Sequence, residues 1–415
     1  LSWLRKPAAN LAISNGKQMI SVDDAWQALA AINPQPKTES VDLRHAVGRV
    51  LAGDITAQRT QPPSDVSAMD GYALRFDDIT DGLSVFEVIG EAPAGGLFDG
   101  TIGRGQAVRI FTGGSLPDGG THVVIQEDTQ RDGAQLHITA PQETPRHIRK
   151  AGQDFKTGDR LLSRGHKVSA ADVALIANAN LAQIDVLGRP RVAFIASGDE
   201  IVAPGQKLSQ TQIPDSISAA LAIMVEHWGG VCVASERTPD DMAQFTAAVQ
   251  DLPQADIIVP IGGASVGDYD YAKQVFYDLG YVPVFEKIAV KPGKPCWFAT
   301  RDDNLVLGLP GNPSSAMVTA TLFLRPLIAQ LSGWHAANDW QRGVLAHPLD
   351  ANGGRESYLR GVWQIDAEGR VQVSVSPRQD SALTTVFAEA NCLVRRHAHA
   401  PACAAGDVID ILSLV

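Results

Sequence analysis

Apolar and polar positions divide the chain into stretches of different texture. Over residues 21–32 the spacing predicts a short helix, with Ser21 as its cap, Asp23 and Asp24 in the first turn, and Ala25, Leu29 and Ile32 on one face. Pro34 and Pro36 end it. From 84 to 140 the pattern shortens to β-like runs around Val85, Val108 and Val123, separated by turns such as Ala92-Pro93-Ala94-Gly95-Gly96 and Leu116-Pro117-Asp118-Gly119-Gly120. That texture predicts an all-β module, and the Ala-rich stretch 169–181 reads as helix. Between 191 and 333 apolar strands, at 191–196, 231–234 and 256–261, alternate with amphipathic helices, which predicts a parallel sheet covered by helices. Ile217, Leu221, Val225 and Trp228 form one helical stripe, ended by Gly229-Gly230. Beyond Trp334 strict alternation returns, at Val371, Val373 and Val375 and again over 408–412, and predicts a small C-terminal β domain. No repeat of fixed period runs through the chain.

The length, 415 residues, suits roughly two to four domains, each with its own core. With 45% apolar and 20% charged residues, neither global disorder nor a fibrous repeat fits. Lys and Arg total 35 against 46 Asp and Glu, a net charge of −11, so nucleic acid and anionic lipid are not expected partners. An anionic ligand must then meet local positive charge or a metal. No apolar stretch reaches the twenty or so residues of a membrane span, and the four cysteines, Cys232, Cys296, Cys392 and Cys403, form no C-x-x-C pair. The expectation is a cytoplasmic protein with reduced thiols.

Ligands of parallel α/β sheets bind beyond the carboxyl ends of the strands, so the loops there carry the first candidates. One is Ser197-Gly198-Asp199-Glu200; the next is Gly262-Gly263-Ala264-Ser265-Val266-Gly267-Asp268-Tyr269-Asp270; a third, after a strand at 305–309, is Pro310-Gly311-Asn312-Pro313-Ser314-Ser315. A tight turn would explain the paired glycines, but it has no need of the Ser265 hydroxyl or the Asp268 and Asp270 carboxylates. In the third loop Asn312 is a candidate N-cap and Pro313 the first helical residue of a helix at 314–322, whose free N–H groups could receive an oxyanion; a well-capped helix explains the same residues. Lys291-Pro292-Gly293-Lys294-Pro295 sets two ammonium groups on a stiff backbone, which suits an anion clamp, although in isolation a solvated turn is the simpler account. Upstream, Ser67-Ala68-Met69-Asp70-Gly71-Tyr72-Ala73, Arg109-Ile110-Phe111-Thr112-Gly113-Gly114 and Arg149-Lys150-Ala151-Gly152-Gln153-Asp154 offer a carboxylate, a hydroxyl and a second carboxylate, and local sequence does not place them beside the α/β core.

Together these strings resemble the molybdopterin molybdenumtransferases, the family of bacterial MoeA and the gephyrin E domain. The motifs at 69–73, 109–113, 197–200, 262–270, 291–295 and 308–313 stand in the family's order, and the resemblance runs from about residue 21 to 415. It implies an α/β multidomain fold: a central MogA-like α/β domain with a parallel-rich sheet at 190–334, an inserted β-rich lid at 48–144, an elongated N-terminal domain from 1–47 plus 145–189, and a C-terminal β-barrel-like domain at 335–415. It also implies a homodimer in which the lid of one subunit faces the α/β cleft of the other, carrying Asp70 and Thr112 to the core motifs.

The implied reaction takes adenylylated molybdopterin and molybdate, releases AMP and forms molybdenum cofactor. Both substrates are anions, so facing carboxylates require a divalent cation, and hard oxygen donors suit Mg²⁺. The resemblance assigns Asp70, Asp154, Glu200 and Asp270 to the metal, and Asp70, Thr112, Glu200, Asp240, Asp270, Lys291 and Lys294 to catalysis, the lysines holding oxyanions. Gly262, Gly263, Ser265, Gly311, Asn312, Pro313 and Ser314 are expected to position the pterin nucleotide. Arg360, in the family-like segment 354–361, is a candidate for anion binding or a β-domain surface arginine. Cys296 and Cys392 read as small buried hydrophobes rather than ligands. The chain departs from the family at Ile217, where many relatives have Asn, at Gly114, where they have Ala, and at Cys296, where they have an aromatic residue. Two rival functions share much of this pattern: molybdopterin adenylylation, and a non-catalytic molybdopterin-binding scaffold. Transient contact with a molybdopterin adenylyltransferase and with molybdoenzymes is a further expectation.

Overall fold

A computed structural model describes residues 19–33, 36–262, 271–334 and 340–414. It forms two units: the first takes in the chain up to Glu39, Gly48–Val50 and the chain from Leu187 onward, and the second takes in Ser40–Val47 and Leu51–Val186.

In the first unit six strands form one sheet, in the order Val231–Thr238, Arg191–Ser197, Ile257–Ile261, Asn304–Gly308, Trp297–Arg301, Val282–Phe285. The first four are mutually parallel. The fifth, Trp297–Arg301, runs antiparallel to them, a reversal that the apolar runs did not signal, and the edge strand Val282–Phe285 pairs antiparallel with it and so runs in the direction of the first four. Val192, Phe194 and Ala196 enter one core with Ile257, Val259 and Ile261, whereas Ile195 enters a second core with Phe245, Phe276 and Trp297. Strands apolar on both faces are what a sheet covered by helices on each side requires.

Helices Val22–Ala30, Ser216–His227 and Pro313–Thr319 pack on the first face, and Met242–Asp251 and Tyr271–Asp278 on the second. The expected N-terminal helix starts where its cap predicts: Ser21 Oγ accepts the Asp24 N–H, and the Asp24 carboxylate accepts from the Ser21 N–H and hydroxyl. The predicted stripe is buried at Ile217, Leu221 and Val225. The helix expected at 314–322 extends further. It passes through a widened turn at Ala320–Leu324, where the Arg325 N–H reaches back to the Ala320 carbonyl, and continues as Arg325–Leu331.

The C-terminal strands close a five-stranded barrel. Trp340–Leu345 pairs with Val408–Ser413, which pairs with Cys392–Arg396, then Glu356–Ile365, then Val371–Val375, which returns to the first. The two-residue strand Val290–Lys291 joins in parallel beside Glu356–Ser357.

The second unit holds a six-stranded sheet in the order His122–Ile125, Gly71–Leu74, Gln106–Ile110, Val85–Ala92, Gln135–Ile138, Thr129–Asp132, with a core on each face. Helix Ala170–Asn178, capped by Ser169, belongs to a further core built on Leu51, Ile55, Ile176 and Val186. Among the described residues no helix is long and apolar enough to cross a membrane.

Candidate functional site

Four strand ends face one edge of the first unit's sheet, because the strands ending at Ser197, Thr238, Ile261 and Gly308 are parallel. The antiparallel strand Trp297–Arg301 begins at that edge, Trp297 pairing with Gly308, so the preceding Lys294 and Pro295 arrive there too. Topology thus gathers four of the sequence motifs at one edge of one sheet.

The first two loops are joined by hydrogen bonds. Gly198 N–H donates to the Thr238 carbonyl (3.2 Å), and Asp240 N–H donates to Asp199 Oδ1 (3.1 Å). Tyr271 Oη donates to Asp240 Oδ1 at 2.7 Å. Burial, reinforced by Asp240, pushes the Tyr271 phenol well above its usual range, so it stays a proton donor to the carboxylate. Asp199 and Tyr271 were not assigned roles from the sequence. Tyr271 lies 31 residues from Asp240 and opens an ordinary amphipathic helix, so no spacing marks it. Glu200 is exposed, and its backbone carbonyl accepts the Ile213 N–H.

Gly262 has φ +82°, and its N–H donates to the Leu309 carbonyl (3.2 Å). A Cβ on Gly311 would lie 3.4 Å from Gly262 Cα, so the second and third loops meet backbone to backbone. Gly263, Ser265, Asp268 and Asp270 lie outside the described residues.

Asn312 occupies the backbone cap position but makes no side-chain cap; its amide donates to Ser381 Oγ at 2.9 Å. Pro313 opens the helix as expected. Ser314 is wholly buried, its N–H donating to the Ser381 carbonyl and its hydroxyl to the Leu383 carbonyl. These groups bind the barrel's 381–383 segment to the sheet edge.

Lys291 and Lys294 are both exposed, and no ion pair to a carboxylate of the described residues engages either. Gly293 between them has φ +115°, and a Cβ there would fall 2.2 Å from Thr319 Cγ2. Only glycine lets this turn lie against the helix that follows Asn312. Arg360 is 1% exposed, so it is not a surface arginine. Its guanidinium donates to the Asp380 carbonyl at 3.0 Å, its Nε has no partner among the described residues, and burial lowers its pKa against the pull of Asp380. It backs the same 379–383 segment that reaches Asn312.

In the second unit Asp70 Oδ1 accepts both the Thr112 N–H (2.7 Å) and the Thr112 hydroxyl (2.9 Å). Those two bonds, the backbone one first, hold its carboxyl below the usual carboxylate range, with Arg109 adding to them. Two strands bring the pair together: Gly71–Leu74 begins after Asp70 and pairs with Gln106–Ile110, which ends before Thr112. Asp154 is exposed, and its N–H donates to the Gln61 carbonyl.

Exposed carboxylates such as Asp70, Asp154 and Glu200 have the hard oxygens that a magnesium ion favours. Among the described residues no three His, Cys, Asp or Glu side chains converge as a metal site. The three departures are packing positions. Ile217 and Cys296 lie in the main core, and a Cβ on Gly114 would come within 2.9 Å of the Ala92 and Phe111 carbonyl oxygens.

Comparison with known proteins places three family models along the chain: the MoeA N-terminal region (domain I and II) at residues 20–179, a probable molybdopterin binding domain at 193–330, and the MoeA C-terminal region (domain IV) at 342–414. A Haemophilus influenzae molybdopterin molybdenumtransferase is 32% identical over 402 residues, covering 95% of this chain and 98% of that protein. One from Nostoc is 36% identical over 342 residues, covering 80% and 78%. Among solved structures, a molybdopterin biosynthesis MoeA protein from Pyrococcus horikoshii matches with a TM-score of 0.81 at 26% identity, over 95% of this chain and 99% of that one.

Proposed function

Because this chain belongs to the MoeA family of molybdopterin molybdenumtransferases, enzymes of molybdenum cofactor biosynthesis, we propose that it takes adenylylated molybdopterin and molybdate, releases AMP and leaves molybdenum on the dithiolene sulfurs. One observation carries the reading: a single sheet edge presents the linked carboxylates Asp199 and Asp240, the exposed Glu200, and the exposed Lys294. Such an edge suits two mutually repelling anions.

In this reading Lys291 and Lys294 hold an oxyanion, molybdate or phosphate, as compact point charges. Gly262 and Gly311 leave room for backbone contacts to the nucleotide, to which Gly263 and Ser265, which follow in the sequence, would add theirs. Tyr271 fixes one oxygen of Asp240 and leaves the other to face the substrate. Arg360 orients the 379–383 segment from its buried position and would lend positive charge to a bound anion. Magnesium belongs to the proposal: Glu200 and Asp270, with Asp70 and Asp154, would hold it, and it would supply positive charge to phosphate oxygens as the phosphoanhydride is cleaved. No covalent protein intermediate is needed. Asp70 and Thr112 act through a second copy of the chain in a cytoplasmic homodimer, which receives its pterin from an adenylyltransferase and passes cofactor to molybdoenzymes.

Purified protein incubated with adenylylated molybdopterin, molybdate and Mg²⁺ should release AMP as active cofactor forms, and EDTA should stop it until Mg²⁺ is restored. Tight binding without AMP release would favour a scaffold. Consumption of ATP with unmodified molybdopterin would favour adenylylation. Mixing Asp70→Asn chains with Lys294→Ala chains should restore turnover lost in each alone; no recovery in stable mixed dimers refutes the two-chain site.

A further inference from the structure

The segment that delivers the two lysines is held on both sides. On one side Ile20 N–H donates to the Lys287 carbonyl (3.0 Å) and Ala289 N–H donates to the Ile20 carbonyl (2.7 Å), just ahead of helix Val22–Ala30. On the other, Glu356 N–H donates to the Ala289 carbonyl (2.9 Å), and Val290 and Lys291 sit opposite Glu356 and Ser357 in parallel register. The N-terminal helix and the barrel strand therefore flank the residues that end in Lys291.

One buried guanidinium ties those flanks together. Arg395 donates through Nε to Glu356 Oε1 (2.8 Å) and through a terminal nitrogen to Glu356 Oε2 (3.3 Å) and Asp23 Oδ1 (3.2 Å). The same group lies over the rings of Trp26 (5.2 Å) and Trp340 (5.4 Å). Glu356 also accepts from the Tyr358 phenol and meets His397 Nδ1 at 3.3 Å. A planar fork can serve two carboxylates and two indole faces at once, which a lysine ammonium cannot. Arg395 is 7% exposed, and its donors are engaged by Glu356 and Asp23.

We propose that Arg395, with Asp23 and Glu356, is a positioning residue for the oxyanion clamp: it fixes the backbone of residues 287–291 so that the Lys291 and Lys294 ammonium groups converge on one oxyanion. The inference rests on the role given above to those lysines. Two long, exposed lysines have no geometry of their own, and a displacement of about 1 Å in a binding group can weaken its action by up to about 100-fold.

The test uses the full chain with Arg395→Gln, Arg395→Lys, Asp23→Asn and Lys294→Ala. Molybdate binding is measured by calorimetry, and KM for molybdate, KM for the pterin nucleotide and kcat are measured separately. Arg395→Gln should weaken molybdate binding and raise its KM about tenfold, Asp23→Asn should do so by about threefold, and Arg395→Lys should fall between Gln and wild type, each with KM for the nucleotide unchanged. Asp23 is half-exposed, so its variant decides the matter if Arg395→Gln does not fold. If Lys294→Ala weakens molybdate binding while the Arg395 and Asp23 variants leave it unchanged, the clasp is wrong and the lysine role stands. A general fall in kcat with both KM values rising together also overturns it, as a loss of structure. If Lys294→Ala itself leaves molybdate binding unchanged, both the lysine role and the clasp fall.

Discussion

Trp26→Phe is a perturbation whose magnitude can be worked from the structure. The Trp26 indole N–H donates to the Leu322 carbonyl at 2.8 Å, and Leu322 is 2% exposed. In a regular helix that carbonyl would accept the N–H of residue 326, but residue 326 is Pro and has none. Phenylalanine keeps a ring over Arg395 and removes the donor. Losing a hydrogen bond and leaving a buried carbonyl unpaired should cost about 2 kcal/mol, with roughly 0.5 kcal/mol more from a weaker cation–π contact. Pro326→Ala returns an N–H to that position, so in its background the Trp26→Phe cost should shrink by about 1 kcal/mol or more. Native-state hydrogen exchange of residues 320–331 reads the effect locally, without assuming that a chain of two units unfolds in one step. Costs that add to within about 0.5 kcal/mol in the double variant would mean that the carbonyl has another partner and that the indole bond is incidental.

Tyr271→Phe removes the phenol that holds Asp240 and should lower kcat about tenfold with little change in substrate KM; an unchanged kcat would remove Asp240 from the reacting centre. In the second unit His122 accepts the Arg146 N–H at Nδ1, so its proton sits on Nε2 facing Gln142, and burial holds its pKa down to about 4. Its unfolded value is near 6.5, so the stability it contributes is complete above that value, declines as pH falls through the interval toward about 4, and changes no further below it. The protection of strand His122–Ile125 against hydrogen exchange, taken relative to the intrinsic exchange rate at each pH, should therefore fall between neutral pH and pH 5, and His122→Gln should flatten that dependence. Burial pushes the Cys392 thiol up to about 12 and raises the wholly buried Cys296 further, so neither should alkylate at pH 8 in the folded protein. Labelling of either at the rate of a free thiol would contradict the packing described.

Features governed by neighbours a few residues apart were legible in the chain itself. Ser21 and Asp24 start the N-terminal helix by a reciprocal pair of bonds three residues apart, and Ile217, Leu221 and Val225 define a buried face at helical spacing. Runs apolar on both faces announced the parallel strands, and glycine-rich strings after them marked where ligands meet such a sheet. Sequence order and residue type were enough for the family, because six polar strings in one succession rarely arise from packing alone.

Contacts between distant residues belonged to the tertiary structure. The Trp26 bond to Leu322 spans 296 positions, and Arg395 reaches Asp23 across 372, so no local window contains either. Arg360 and Ser314 look like surface polar residues in the chain, yet both are buried where the barrel meets the sheet edge. The direction of Trp297–Arg301 was open as well, since an apolar strand has the same composition whichever way it runs, and that direction alone carries Lys294 to the edge where the carboxylates stand. Residue type decides which groups can donate, accept or carry charge; only the folded chain decides which of them share a dry, fixed place, because that depends on hydrogen bonds and packing that close over hundreds of residues.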